Sequence, residues 1–164
     1  MNDEIKKFDL VILGRGAAAF SAAIKASELS DGGMSIAMIG TGPLGGTCVN
    51  VGCVPSKYLL EASHAVFNPS HPRMPGIFET AVKHDFSEVM RGLRSYVAHA
   101  RDAKYAQVIE SYNNVKLFNG LGKFVDRKTV MVIDPDGKEF ATVSGSNILI
   151  ATNFPSPLKS FTLL

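Results

Sequence analysis

"FDLVILGRGAAAFSAAIKASEL", residues 8–29, decides how this chain folds. "FDLVILG", 8–14, is a short apolar run closed by a glycine and reads as a buried strand. "AAAFSAAIKASEL", 17–29, is rich in alanine and reads as a helix packed closely on a sheet. Between them "GRGAAA", 14–19, fits the pattern G-x-G-x-x-A. In such a turn Gly14 allows the tight bend and Gly16 lets the backbone approach a pyrophosphate. Ala17 opens a helix whose free N–H groups and positive dipole end face the phosphates, and Ala19 keeps helix and strand close. The glycine pattern alone is weak evidence, and its context strengthens it. "DGG", 31–33, is a turn and "MSIAMIG", 34–40, a second strand. Strand, helix and strand predict a βαβ unit with a parallel pair and a right-handed crossover. The expected function of this unit is dinucleotide binding, and the plain alternative is a structural strand–helix turn.

One part of the pattern is missing. An acid normally ends the second strand and binds a ribose hydroxyl. Here Gly40 stands in that place, followed by Thr41. Losing a charge-assisted hydrogen bond costs roughly 1–3 kcal/mol. Weakened binding is therefore expected rather than none, with backbone groups or Thr41 compensating.

"GGTCVNVGCVPSK", 45–57, holds the only two cysteines, Cys48 and Cys53. Three readings stand open for them: zinc ligands, inert thiols and a redox pair. A structural zinc site takes four ligands, commonly from tighter spacings. The four histidines, His64, His71, His84 and His99, show no matching pattern. A disulfide meets a geometric obstacle. In a regular helix, residues five apart have Cα atoms about 8–9 Å apart, whereas a disulfide needs less than about 7 Å. A bridge therefore requires a break in the helix, which Gly52 eases. Cys53 then begins a helix expected over 54–67, with Pro55 in its first turn. The helix dipole and Lys57, one turn on, favour a thiolate there and leave Cys48 on the looser side to meet a substrate. The plain reading of Lys57 is a surface pair with Glu61, and that of His64 an exposed helix-face histidine.

The remainder is coarser. "NPSHPRMPGI", 68–77, has three prolines and reads as a loop. A long helical stretch covers about 85–112, with Val89, Leu93, Tyr96, Val97, Ala100 and Tyr105 near one face. "VKLFNGLGKFV", "KTVMVID" and "EFATVSG" read as short strands with turns between them, and "NILIAT", 147–152, as a further buried strand. Residues 153–164 have no usable periodicity and read as an altered or truncated end, with a short natural tail as the alternative.

Composition narrows the partners. The chain has 164 residues, 46% hydrophobic and 20% charged, enough for one domain with a real core. A net charge of +2 gives no reason to expect nucleic acid or an anionic membrane. No apolar run approaches the roughly 20 residues of a membrane span, and the N-terminus lacks the pattern of a signal peptide. The expectation is a cytoplasmic protein, where structural disulfides are uncommon and close thiols point to redox or metal chemistry.

The thiol segment also resembles the redox-disulfide motif of the FAD-dependent pyridine nucleotide–disulfide oxidoreductases. These include lipoamide dehydrogenase, glutathione reductase and mercuric reductase. The likeness runs to about residue 152, where "NILIAT" resembles the strand before the family's A-T-G turn, with Asn153 in place of glycine. "GRGAAAFSAAIKA" and "CVNVGCVPSK" followed by "EASH" look most like mercuric reductase, and Ser56 stands where glutathione reductases carry a second lysine.

The resemblance implies an α/β, Rossmann-like FAD/NAD(P)-binding domain over residues 1–152. It would have three layers, a parallel sheet and a small antiparallel β-meander. It implies FAD as cofactor, with NADPH in the complete enzyme. Gly14, Gly16 and Ala17 would hold the pyrophosphate, and Gly42, Gly46 and Thr47 would contact the ribityl–phosphate region. Gly122 would approach the adenine and Thr152 would lie near the flavin chain. Cys53 would be the charge-transfer thiol, Cys48 the interchange thiol, and Lys57 would sit near flavin N5. Electrons would pass from NADPH through FAD to a Cys48–Cys53 disulfide. The two thiols would hold Hg²⁺ transiently for reduction to Hg⁰, since soft thiolates suit a soft ion. The alternatives are a reductase of lipoamide or a similar disulfide, and a non-catalytic module that binds FAD or a thiophilic metal. A homodimer is implied for the complete enzyme, and the NAD(P)H-binding and dimerisation domains are expected to be absent from this chain.

Overall fold

The computed structural model describes residues 4–152. The calls on residues 153–164, including Asn153, lie outside the described residues. The chain forms two compact units: one from the chain up to Gly42 together with the described chain from Ile109 on, the other from Pro43 to Val108.

The first unit is built on the βαβ motif. β1 (Lys6–Leu13) pairs in parallel with β2 (Ile36–Gly40), and α1 (Ala17–Leu29) links them. Val11, Ile12 and Leu13 are buried, as are Ile36 to Ile39, which is the signature of strands covered on both faces. α1 buries Ala19, Phe20, Ala23 and Ser27. Small side chains at three of these four positions let its axis come close to the sheet.

Four more strands complete the sheet: β3 (Val115–Asn119), β4 (Leu121–Phe124), β5 (Thr129–Ile133) and β6 (Glu139–Ile150). Their order is β3-β2-β1-β6-β5-β4. β3, β2, β1 and β6 are parallel, while β6, β5 and β4 run antiparallel as a meander. "EFATVSG" and "NILIAT", expected as separate strands, form the single twelve-residue β6. It joins the two halves of the sheet, pairing with β1 along one edge and β5 along the other. The meander folds back over the parallel half. A Cβ at Gly122 in β4 would come within 2.9 Å of Leu13 and 3.4 Å of Ile39. The core between these layers contains Val11, Leu13, Ala37, Ile39, Phe118, Val130, Val132, Ala141 and Val143. Mixed α/β architecture with a parallel sheet and a small meander is therefore observed.

In the middle of β1, the Ser35 N–H and hydroxyl both donate to the Asp9 carboxylate, at 2.8 and 2.7 Å. The hydroxyl bond, then the backbone bond, holds the Asp9 carboxyl below its ordinary value of 3.8. A depressed folded-state pKa contributes stability above the unfolded pKa and loses it as pH falls through the folded value. Asp9→Asn should therefore melt below the parent at pH 7, and the gap should close below about pH 3.8. Thermal unfolding across that range checks this; a gap independent of pH contradicts it.

The second unit is helical. α2 (Gly46–Asn50) is followed after a two-residue break by α3 (Cys53–Ser70). α3 runs past the expected 54–67 to Ser70, with Pro69 in its last turn and the Ser70 hydroxyl donating to the carbonyls of Val66 and Phe67. α4 (Phe86–Arg101) is N-capped by Asp85, whose carboxylate accepts from the N–H of Ser87 at 2.8 Å. The single helix expected over 85–112 is interrupted: a π-helical turn, Asp102–Ala106, separates α4 from α5 (Gln107–Glu110). Leu93 and Ala100 are buried as the spacing predicts, while Tyr96 remains about half exposed. Among the described residues no helix is long and apolar enough to cross a membrane.

Candidate functional site

The glycine turn lies in the first unit. The Gly14 N–H donates to the Ile39 carbonyl at 2.8 Å, fastening the turn to the end of β2. Gly14 has φ +141°, and a Cβ there would run into the Ala151 carbonyl. Only glycine fits such a backbone and such an approach. Gly16 is the N-cap of α1, with no side-chain cap and no acidic residue in the first turn. The first-turn N–H groups, beginning at Ala17, have no partner within the helix. Ala17 and Ala18 are exposed and Ala19 is fully buried. This division suits a turn whose outer side receives a diphosphate and whose inner side packs on the sheet.

At the end of β2, where the sequence lacks an acid, stands Arg15. Its side chain crosses Gly40, where a Cβ would collide with the arginine Cγ. One Arg15 amino group, Nη1, donates to the Gly42 carbonyl at 2.9 Å and to Asn119 Oδ1 at 2.5 Å. Gly42 is exposed, with φ +76° and open space where a Cβ would point. Gly122 is half-buried among core side chains, so packing alone accounts for a glycine there. Thr152 is exposed just beyond β6.

The thiol pair lies in the second unit. Gly45 and Gly46 both have positive φ, +87° and +68°, which turns the chain into α2. Gly45 is buried, and a Cβ on it would press on Val49 and Tyr105. Thr47 and Cys48 follow, exposed, within α2. Gly52 then breaks the helix. A Cβ there would lie 3.1 Å from the Thr47 carbonyl oxygen and 3.3 Å from the Cys48 Cα, so the chain folds tightly back on itself. Cys53 is the first residue of α3, with Pro55 in the first turn. The break supplies the departure from a regular helix that a bridge between the two cysteines would require.

Cys48 and Cys53 are free thiols, and both are exposed. A hydrogen bond between the two side chains favours the protonated form of Cys48 and raises its pKa above 9.0. Slight desolvation and the neighbouring charge of Cys53 push the same way, while the Cys53 N–H and the Lys57 charge oppose them. Lys57 is exposed and makes no ion pair with Glu61. His64 is exposed on α3. Among the described residues no three His, Cys, Asp or Glu side chains cluster as a metal site.

Asn50, inside the cysteine motif, braces the segment and escaped the sequence reading. Its amide donates to the carbonyls of Leu44 and Gly46, both at 2.8 Å, and its oxygen accepts from Arg101 at 3.2 Å. The available signal was an amide residue between two cysteines, a side chain able to satisfy a turn's carbonyls. For Arg15 the signal was a long cation inside the glycine turn opposite a missing acid.

Comparison with known proteins adds to this geometry. Residues 8–158 match the family described as pyridine nucleotide-disulphide oxidoreductase. A mercuric reductase of Lysinibacillus sphaericus is 41% identical over 145 residues, covering 88% of this chain and 25% of that protein. A dihydrolipoamide dehydrogenase of Chaetomium thermophilum is 41% identical over 146 residues, covering 88% and 28%. The chain thus spans little more than a quarter of the length of these relatives. In fold it is similar to a Cu(II) complex of the HOCl-induced flavoprotein disulfide reductase RclA from Escherichia coli. That match has a TM-score of 0.71 at 23% identity, over 91% of this chain and 29% of that one.

Proposed function

The chain belongs to the pyridine nucleotide–disulphide oxidoreductase family, and from that premise we propose that it carries the flavin-binding turn and redox cysteine pair of a mercuric-reductase-like enzyme. The observation that carries the reading is the pair itself: two exposed free thiols at the broken junction of α2 and α3.

Gly14, Gly16 and the N–H groups from Ala17 on would hold the diphosphate of FAD, and Gly42, Gly46 and Thr47 would contact the rest of the cofactor. Bound FAD would supply a two-electron carrier between a nicotinamide donor and the cysteines. Reduction of a Cys48–Cys53 disulfide breaks one S–S bond, takes up two electrons and two protons, and leaves two thiols. Cys48 then holds its proton at Sγ, supported by Cys53. Lys57 contributes the positive charge that opposes this and favours a thiolate when an electrophile arrives. Hg²⁺ as substrate would displace the thiol protons and be held between two soft sulfur ligands.

A disulfide substrate is the second reading, favoured by the equal 41% identity to the dihydrolipoamide dehydrogenase. NADPH as donor, a cytoplasmic setting that keeps the thiols reduced and a homodimer complete the proposal.

Reconstitution tests it. FAD added to the purified chain should bind weakly, in the micromolar range or above, with altered flavin absorbance and fluorescence. Flavin spectra unchanged at high FAD concentration would contradict the reading.

A further inference from the structure

Arg15 replaces the sign of the charge at the ribose end of the glycine turn. In dinucleotide sites an acid at the end of the second strand accepts hydrogen bonds from the ribose hydroxyls, and an arginine near that place accommodates a ribose phosphate instead. This chain has no acid there. Gly40 ends β2, and the space above it is taken by the arginine stem, whose Cδ would lie 2.9 Å from any Cβ added at position 40. The glycine and the arginine therefore belong together.

We propose that Arg15 is the specificity residue of this groove, making its ribose end a phosphate site that prefers an adenine nucleotide phosphorylated on the ribose. The inference rests on the reading of the glycine turn as a dinucleotide site. Three observations carry it. Arg15 is anchored rather than free: Nη1 is held by the Gly42 carbonyl and by Asn119, the β3 residue paired with Gly40. Among the described residues these contacts engage one nitrogen of a guanidinium with five N–H donors. The shielded Nε has no hydrogen-bond partner among the described residues. Finally, the exposed Gly42 beside it leaves open space where a side chain would stand. A planar, permanently charged fork held in place matches a phosphate, whereas ribose hydroxyls find no carboxylate to accept their protons. FAD, with free hydroxyls on its adenosine ribose, would be held here by its diphosphate without help from the ribose.

The test is calorimetric titration of the whole chain with adenosine 2′,5′-bisphosphate and with 5′-AMP, alongside FAD. The parent should bind the bisphosphate about tenfold or more tightly than 5′-AMP, and added salt should reduce the difference. Arg15→Ser should bring the two affinities together, and Arg15→Lys should retain part of the preference through charge alone. The double variant Arg15→Ser with Gly40→Glu should bind FAD more tightly than the parent. Thermal unfolding accompanies each variant, and Arg15→Lys gives the answer if Arg15→Ser is unfolded. Equal affinities in the parent, or a preference that survives intact in a folded Arg15→Ser, overturn the assignment. If FAD binds while the probes are not distinguished, only the role of Arg15 falls. If neither FAD nor either probe binds the parent or the double variant, the dinucleotide reading falls with it.

Discussion

Gly14→Ala should destabilise the protein by several kcal/mol and eliminate nucleotide binding. Two separate costs meet at this residue. Its φ of +141° lies where side-chain-bearing residues are strained by about 1–3 kcal/mol. Its added methyl would also collide with the Ala151 carbonyl, part of the backbone that follows β6 and is held by the Ala151 N–H to the Leu13 carbonyl at 2.7 Å. Forcing such an overlap costs a further 1–3 kcal/mol or so. Against a total of about 5–15 kcal/mol for a domain, that leaves a marginal protein. Gly42→Ala is the control. Its φ is also positive, but nothing lies within 4 Å of the new methyl, so only the left-handed penalty of about 1–2 kcal/mol applies. Urea denaturation of both variants checks the ranking; a Gly14→Ala protein as stable as Gly42→Ala would show that the close approach has been misjudged.

Cys53→Ala should abolish dithiol–disulfide chemistry outright and at the same time make Cys48 more reactive. The first effect is all-or-none, because one sulfur cannot form the intramolecular bond. The second follows from sign. The Cys53 side chain is the largest cause raising the Cys48 pKa, and Lys57 lowers it. Removing the first leaves the second, so the thiolate fraction of Cys48 at pH 7–8 rises. Iodoacetamide should label Cys48 several-fold faster in Cys53→Ala than in the reduced parent, with the pH midpoint of labelling moved down. Lys57→Gln should move that midpoint up. Peptide mass spectrometry reads both, and an unchanged midpoint in Cys53→Ala would remove the thiol–thiol hydrogen bond from the account. Both cysteines are exposed.

The readable features of this chain were those written in consecutive residues. The apolar runs of β1 and β2, the alanines of α1 and the glycines at 14 and 16 announce the βαβ unit because burial on both faces and close packing demand those residue types. The cysteine motif likewise placed Cys53 at a helix start and Gly52 at the break. β6 was misread because "SGSN" has the composition of a turn. Gly145 instead lies in the strand, where a side chain would press against Val11 and the Asn147 carbonyl, the close approach that strand glycines often mark. Arg15 was legible only as a cation inside the glycine turn: its partner Asn119 is 104 positions away, and their meeting depends on the β2–β3 register. The π-turn after α4 has no local signature in "DAKYA" either.

The proposed function requires that one chain bind a flavin and pass its electrons to the cysteine pair. Anaerobic dithionite titration of the FAD-reconstituted protein, oxidised beforehand, counts the electrons directly. The account predicts four per bound flavin in the parent, two for FAD and two for the Cys48–Cys53 disulfide, and two in Cys48→Ser. A parent that takes up only two electrons per bound flavin, the same as Cys48→Ser, would contradict it.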